Sequence, residues 1–185
     1  MTSTLAPALA VHRVRADDAA RMRALRLEML ADSPLAFLET LAQAAARPHA
    51  DFCRRIELAA GGPRLAQFVA DPHRETGPHG ENSHAGGRLI GHAGGTVLPE
   101  DPATTVVFAV YITPAHRRTG VLDSLLEAVA EWSLASGRRE LMLEVVLGND
   151  RAVRAYERLG FEDTGVRVPH PVIPGLRELQ MRRRA

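Results

Sequence analysis

The stretch Val106–Leu126, VVFAVYITPAHRRTGVLDSLL, decides how this chain is read. An apolar, β-branched run ends in a proline. A basic turn follows and closes at Gly120, and an amphipathic helix starts immediately after it. The first N–H groups of a helix lack intrahelical partners, and the helix dipole adds partial positive charge at the same end. A strand that hands over to a helix through a basic, glycine-containing turn is therefore an anion-binding device. Gly120 lets the backbone approach the anion, and Arg117 and Arg118 can make charge-assisted bonds to phosphate oxygens. Acidic residues are the usual choice at a helix start, which makes the arginines informative.

Working outward, the strand is expected over Thr104–Thr113, buried on both faces, after a turn at Pro99–Ala103. The helix runs to about Ser136, with Val121, Leu125, Val129 and Trp132 on one face and Leu122 and Leu126 beside it; Gly137 closes it. Arg139–Leu147 reads as a second buried strand. Asn149 or Asp150 then caps a helix that places Ala152, Tyr156 and Leu159 on one face and ends at Gly160. Phe161–Val168 and Leu176–Arg182 form a closing antiparallel pair around PHPVIPG, and Arg182–Arg184 reads as a solvated tail.

Upstream, residues 1–10 look frayed and Val11–Ala16 alternates as a first strand. Asp17 caps a helix over Ala19–Leu30, with Met22, Leu25 and Met29 on one face. Pro34 opens another, carrying Leu35, Leu38 and Leu41 at helical spacing to about Ala46. Pro48 opens a third, with Phe52, Ile56 and Leu58 or Ala59, closed by Gly61-Gly62. Leu65–Ala70 and Leu89–Leu98 are strands, the second interrupted by Gly91, Gly94 and Gly95, which mark a bulge or a close approach. Between them, DPHRETGPHGENSHAGGR (71–88) reads as a long, flexible hairpin loop. Its His73, His79 and His84, with His92 beyond, lack the spacing of a structural metal site, so no metal is expected.

The order of strand, helices, strands, helix, strand, helix, strands implies an α/β single domain over 1–185, with helices on the faces of one mixed sheet. The 185 residues are 45% hydrophobic and 24% charged with a net charge of +1, which gives no reason to expect nucleic acid or a membrane as partner. The single cysteine, Cys53, excludes an internal disulfide and reads as a half-buried thiol. No apolar run approaches the ~18 residues of a membrane span. The N-terminus has no basic lead-in, so a cytoplasmic location is the default.

Two elements taken together carry the chemistry. The turn reads Ile112-Thr113-Pro114-Ala115-His116-Arg117-Arg118-Thr119-Gly120-Val121-Leu122. Downstream, Leu143-Glu144-Val145 is followed by Asn149, Ala152, Tyr156 and Leu159-Gly160-Phe161. In this order the two resemble the paired motifs of the GCN5-related N-acetyltransferase (GNAT) superfamily, over almost the whole chain. The resemblance implies a mostly antiparallel mixed sheet, a splayed central strand pair, helices on both faces, and acetyl-CoA as co-substrate. Backbone groups near Val110, Tyr111 and Ile112 would pair with the pantetheine arm. The amides of Arg117, Arg118, Thr119, Gly120, Val121 and Leu122 would bind the pyrophosphate, with Asn149 and Tyr156 completing the cofactor set. The acceptor, a small-molecule or peptide amine, would attack directly in a ternary complex. Tyr156 would protonate the CoA thiolate, and Glu144 is the candidate base, directly or through water. Leu122 stands where the family has a second small residue and Asp123 follows it, which predicts weakened cofactor affinity. The alternative is a catalytically weak or inactive acyl-CoA-binding regulatory module of the same fold. A homodimer is common in the family.

Overall fold

A computed structural model of the chain describes residues 10–72 and 87–185. The expected frayed start and most of the 71–88 loop, its three histidines included, lie outside the described residues. Seven strands form one sheet: β1 Ala10–Arg13, β2 Leu65–Asp71, β3 Gly91–Leu98, β4 Asp101–Ile112, β5 Glu140–Val146, β6 Glu162–Pro169 and β7 Arg177–Arg184. Their order is β1-β2-β3-β4-β5-β7-β6. Every pairing is antiparallel except β4 with β5. The helices are α1 Ala19–Asp32, α2 Leu41–Ala46, α3 His49–Gly61, α4 Val121–Ala135 and α5 Asp150–Arg158.

Two cores flank the sheet. On one face Leu125, Leu126 and Val129 of α4 pack on Leu141, Leu143, Leu179 and Met181, with Tyr156 and Leu159 of the α5 segment at the margin. On the other, Met22, Leu25 and Met29 of α1 and Ile56 and Ala59 of α3 pack on Val69 and Tyr111. The apolar stripes read at helical spacing in α1, α3 and α4 are therefore the core stripes.

The glycines of β3 set how closely these layers approach. A Cβ at Gly91 would lie 2.9 Å from a Leu125 methyl carbon, and one at Gly95 would lie 2.8 Å from the Trp132 ring. A Cβ at Gly94 would clash with the Phe108 ring, 2.4 Å from its nearest carbon. The register also slips here: one residue separates His92 from Gly94 on β3, whereas two, Ala109 and Val110, separate Phe108 from Tyr111 on β4. This is a β-bulge, and Ala109 carries it with φ +51°.

At the start of the β4–β5 pair the two strands are fastened. Arg138 Nε donates to Thr105 Oγ1 (2.9 Å), Thr105 and Ser133 hydroxyls meet at 2.8 Å, and Ser133 Oγ donates to the Arg138 carbonyl (3.0 Å). Both hydroxyl-bearing residues are fully buried, so each bond protects a group with no access to water. The β4–β5 pairing itself covers only Thr104–Val106 against Glu140–Met142.

Several local expectations are corrected. No helix fills Leu35–Ala46. Pro34–Ala36 makes one 3-10 turn, Phe37 is extended, and α2 starts only after Thr40, whose side chain accepts the Gln43 N–H. Leu35, Leu38 and Leu41 are exposed, and Phe37 is the buried residue of the segment. A 3-10 turn at Ala16–Asp18 replaces the Asp17 cap, and the Asp18 carboxylate accepts the Arg15 N–H (3.0 Å). The strand pair flanking the motif turn is not buried on both faces, since Phe108, Ala109 and Val110 are half-buried and Glu144 is exposed. The terminal arginines belong to β7: Arg183 stacks 5.1 Å over the Phe161 ring and donates to the Leu159 carbonyl (3.0 Å).

Because Phe108 occupies the space over Gly94, Gly94→Ala is expected to destabilise the protein by about 1–3 kcal/mol through overpacking. Urea unfolding at constant m-value measures it, and a shift under half a kcal/mol would contradict the close contact.

Candidate functional site

Past Val106 and Met142 the partners β4 and β5 continue without pairing each other. Their facing edges form the walls of a cleft of about 940 Å³. Val107–Ile112 of β4 form one wall and Leu143–Val146 of β5 the other. The motif turn stands at one end, α5 lies along a side, and Phe37 and Glu178 complete the lining.

The turn has the geometry of an anion cradle. Arg118 (φ +66°) and Gly120 (φ +84°) are both left-handed, so the backbone curls immediately before α4. Successive N–H groups in such a curl converge, and the first turn of α4 adds three more that have no intrahelical acceptor. The arginine side chains do not share this role equally. The Arg117 guanidinium is bound by Asp32 of α1, and its Nε donates to the Ile112 carbonyl (3.1 Å). It also lies 5.9 Å from the Tyr111 ring centroid. Arg117 thus ties the turn to α1, while Arg118 lines the cleft. Leu122 packs against the α4-side core at the cleft margin, and the Asp123 side chain is exposed there.

The β4 bulge is held by a buried imidazole. His92 retains 2% exposure, and its Nδ1 donates to the Ala109 carbonyl (2.6 Å). Its other nitrogen meets the Gln67 side chain at 3.1 Å. Burial pushes the His92 pKa down from 6.5 to about 4, against the opposing pull of the Ala109 carbonyl and with a smaller push from Arg26. The ring is neutral near pH 7, and a neutral ring carries one N–H, which here serves the strained residue. The sequence reading left His92 as an incidental strand histidine; only the bulge gives it this task.

On the far wall, the Asn149 side-chain oxygen accepts the Ala152 N–H (3.3 Å), and the residue lines the cleft. Tyr156 is half-buried, and its ring meets Phe161 edge-on at 5.8 Å. Burial drives the Tyr156 pKa above its ordinary 10, so the phenol keeps its proton at any physiological pH. Val110, Tyr111, Ile112, Arg117, Arg118, Gly120, Leu122, Glu144, Asn149 and Tyr156 all line this one cleft. Thr119 turns back, its hydroxyl donating to the His116 carbonyl (2.6 Å), and Val121 is buried in the core.

Among the lining residues outside the sequence reading of the site are Phe37, Arg151, Arg154, Arg158 and Glu178. Phe37 forms part of the wall under the Arg26 guanidinium, 5.0 Å from its ring centroid, with Arg26 and Arg47 both bound to Glu39. Glu178 of β7 carries no motif around it.

The acetyltransferase (GNAT) family model matches residues 39–161. The N-alpha-acetyltransferase RimI of Mycobacterium tuberculosis is 28% identical over 116 residues, 62% of this chain and 69% of that one. A probable N-acetyltransferase family 8 member 5 of Mus musculus is 26% identical over 86 residues, 45% of this chain but only 38% of its own length. Among solved structures, a GNAT-family acetyltransferase from Streptococcus pneumoniae superposes with a TM-score of 0.74 at 18% identity, covering 96% of this chain and 100% of that one. The putative acetyltransferase yncA from Salmonella typhimurium, solved with acetyl-CoA, gives 0.71 at 15% identity, covering 96% and 94%. These likenesses show the fold.

The His92 interaction has a definite pH signature. The unfolded chain takes up a proton near pH 6.5 and the folded one near 4. The contribution is therefore complete above 6.5 and lost as pH falls to about 4, a loss of roughly 3 kcal/mol. His92→Gln is expected to flatten unfolding free energy across pH 4–6.5. An unchanged slope would remove His92 from the account.

Proposed function

The chain belongs to the acetyltransferase (GNAT) family, and from that premise we propose that it transfers an acetyl group from acetyl-CoA to a primary amine by direct attack in a ternary complex. The observation that carries this reading is the cleft itself. Two strand edges open directly onto a left-handed, amide-rich turn, and Tyr156 lies along the same walls. The β4 edge at Val110–Ile112 supports a strand-like grip on the pantetheine arm, whose amides can pair as an added strand would. The turn amides and Arg118 support binding of the pyrophosphate. Since Arg117 is held by Asp32, its role in the proposal is to fix the turn, while its backbone stays part of the cradle. The Asn149 amide and the Tyr156 ring would border the thiol end.

Direct attack needs a free amine, so the acceptor ammonium must first lose a proton. Glu144 is exposed on the cleft wall and is assigned to meet that ammonium, directly or through water. Collapse of the tetrahedral adduct expels the CoA thiolate, which takes a proton from Tyr156. Burial keeps the phenol protonated and so able to supply that proton, while also making it a weaker acid than a free tyrosine. The mycobacterial relative is named for N-alpha acetylation, which makes a peptide α-amine the first acceptor to try. The same cleft would serve a non-catalytic acyl-CoA-binding module, and the exposed Asp123 at the anion turn favours weaker cofactor binding.

Calorimetric titration with acetyl-CoA, followed by thiol release over peptides and small amines, separates these readings. Binding with turnover supports transfer, binding alone supports the module, and no binding at millimolar acetyl-CoA would remove both. Tyr156→Phe is expected to lower kcat by about 10²-fold with the acetyl-CoA Kd unchanged. Wild-type turnover in that variant would dismiss Tyr156 as the acid.

A further inference from the structure

The cleft holds two carboxylates, and the motif accounts for one. β5 and β7 run antiparallel with Val146 opposite Glu178 and Glu144 opposite Gln180. Opposed residues share a face of the sheet, as do alternate residues along a strand. Glu144 and Glu178 are therefore diagonal neighbours on one face, while Leu143, Val145 and Leu179 enter the core on the other. Both carboxylates line the cleft. Their surroundings differ, because Glu144 is exposed whereas Glu178 retains only 8% exposure. Burial raises the proton affinity of Glu178, His170 opposes that rise, and the Glu144 charge adds to it.

His170 is built into the hairpin between β6 and β7. Its Nδ1 accepts the N–H groups of Val172 (3.2 Å) and Ile173 (2.9 Å), and its backbone N–H donates to the Leu176 carbonyl (2.9 Å). A ring nitrogen that accepts backbone N–H bonds carries no proton, so the ring proton sits on Nε2. That Nε2 is buried without a hydrogen-bond partner among the described residues, in a residue only 5% exposed. The turn thus spends its backbone amides to hold the ring of a buried histidine, whose charge when protonated lowers the proton affinity of Glu178. The adjacent Arg177 points to the other face of β7 and donates to the Arg167 carbonyl (3.1 Å), and Arg182, on the Glu178 face, is paired with Glu140 and Asp101. The titratable groups acting on Glu178 are His170 and Glu144.

Two carboxylates on one face do not ionise independently, and the buried member retains a proton more readily. A base works best when its proton affinity lies near the operating pH, the direction in which Glu178 is displaced. We propose that Glu144 and Glu178 act as one proton-accepting pair for the acceptor amine, with Glu144 meeting the ammonium and Glu178 holding the proton it gives up. In that step an ammonium N–H bond breaks and a Glu178 O–H bond forms. The freed lone pair attacks the thioester carbon, and Glu178 returns its proton to water after turnover. The inference rests on the acetyl-transfer reading of the cleft.

The experiment is a carbon-13 titration of glutamate side-chain carboxyls in the full chain, alongside kcat/KM against pH with an alanine-initiated hexapeptide. One resonance is expected to titrate above the ordinary carboxylate range and to vanish in Glu178→Gln. Its midpoint is expected to fall in Glu144→Gln, which removes the like charge. It is expected to rise in His170→Asn, whose side-chain oxygen can still accept the hairpin amides. In kinetics, Glu178→Gln should lose tenfold or more in kcat and move the acid limb to lower pH, with the acetyl-CoA Kd unchanged. A Glu178 midpoint indifferent to Glu144→Gln, or wild-type kcat and acid limb in Glu178→Gln, would overturn the pairing. Failure of the wild-type protein to bind acetyl-CoA or acetylate the peptide would instead count against the transfer reading, and the carbon-13 arm would still decide the pair.

Discussion

Parallel pairing between β4 and β5 stops after three residues, and the rest of the structure is arranged around that release. Backbone N–H and C=O groups must be paired or hydrated. Two strands that begin side by side and then part present facing rows of such groups to whatever enters between them. Keeping the strands apart takes work at both ends. At the closed end the buried Thr105–Ser133–Arg138 bonds fasten β4 to the end of α4 and the start of β5. At the open end the Ala109 bulge interrupts the β3–β4 register, and the His92 ring donates to the Ala109 carbonyl.

The packing around this opening is asymmetric. The α4 side is close-packed, because Gly91 and Gly95 let Leu125 and Trp132 press against β3, while Phe108 covers Gly94 on the opposite face. The α1 side is bridged by polar contacts as well as apolar ones: Arg117 to Asp32, Tyr111 to Glu28 and Arg88 to Glu28. One side gives the sheet a fixed base. The other ties the motif turn to the helices that would face an acceptor.

Much of this was legible in the sequence where local chemistry is repeated or punctuated. The α4 and α1 stripes follow from apolar spacing, and the turn before α4 follows from its proline, arginines and Gly120. The caps at Asn149 and Gly137 follow from residue type. What failed depended on partners distant in sequence. Leu35, Leu38 and Leu41 sit at helical spacing, but three residues do not fix a helix when Phe37 has a better burial site against the cleft. Arg182–Arg184 looked like a tail because nothing local says that β7 inserts between β5 and β6. Glu178 and His170 were invisible for the same reason, since their burial is created by that insertion. The family resemblance supplied the cleft and its expected occupants, and it was silent on these two residues.

Arg117 spends its side chain on Asp32 and a carbonyl, so the grip of the motif turn falls to main-chain amides and Arg118. Neither changes protonation near neutrality. Glu178, which also lines the cleft, is a carboxyl whose burial raises its hold on a proton. The site therefore divides into a half blind to acidity and a half that registers it. A fall in the surrounding pH would reach the chemistry of the cleft well before it loosened the hold on an anion.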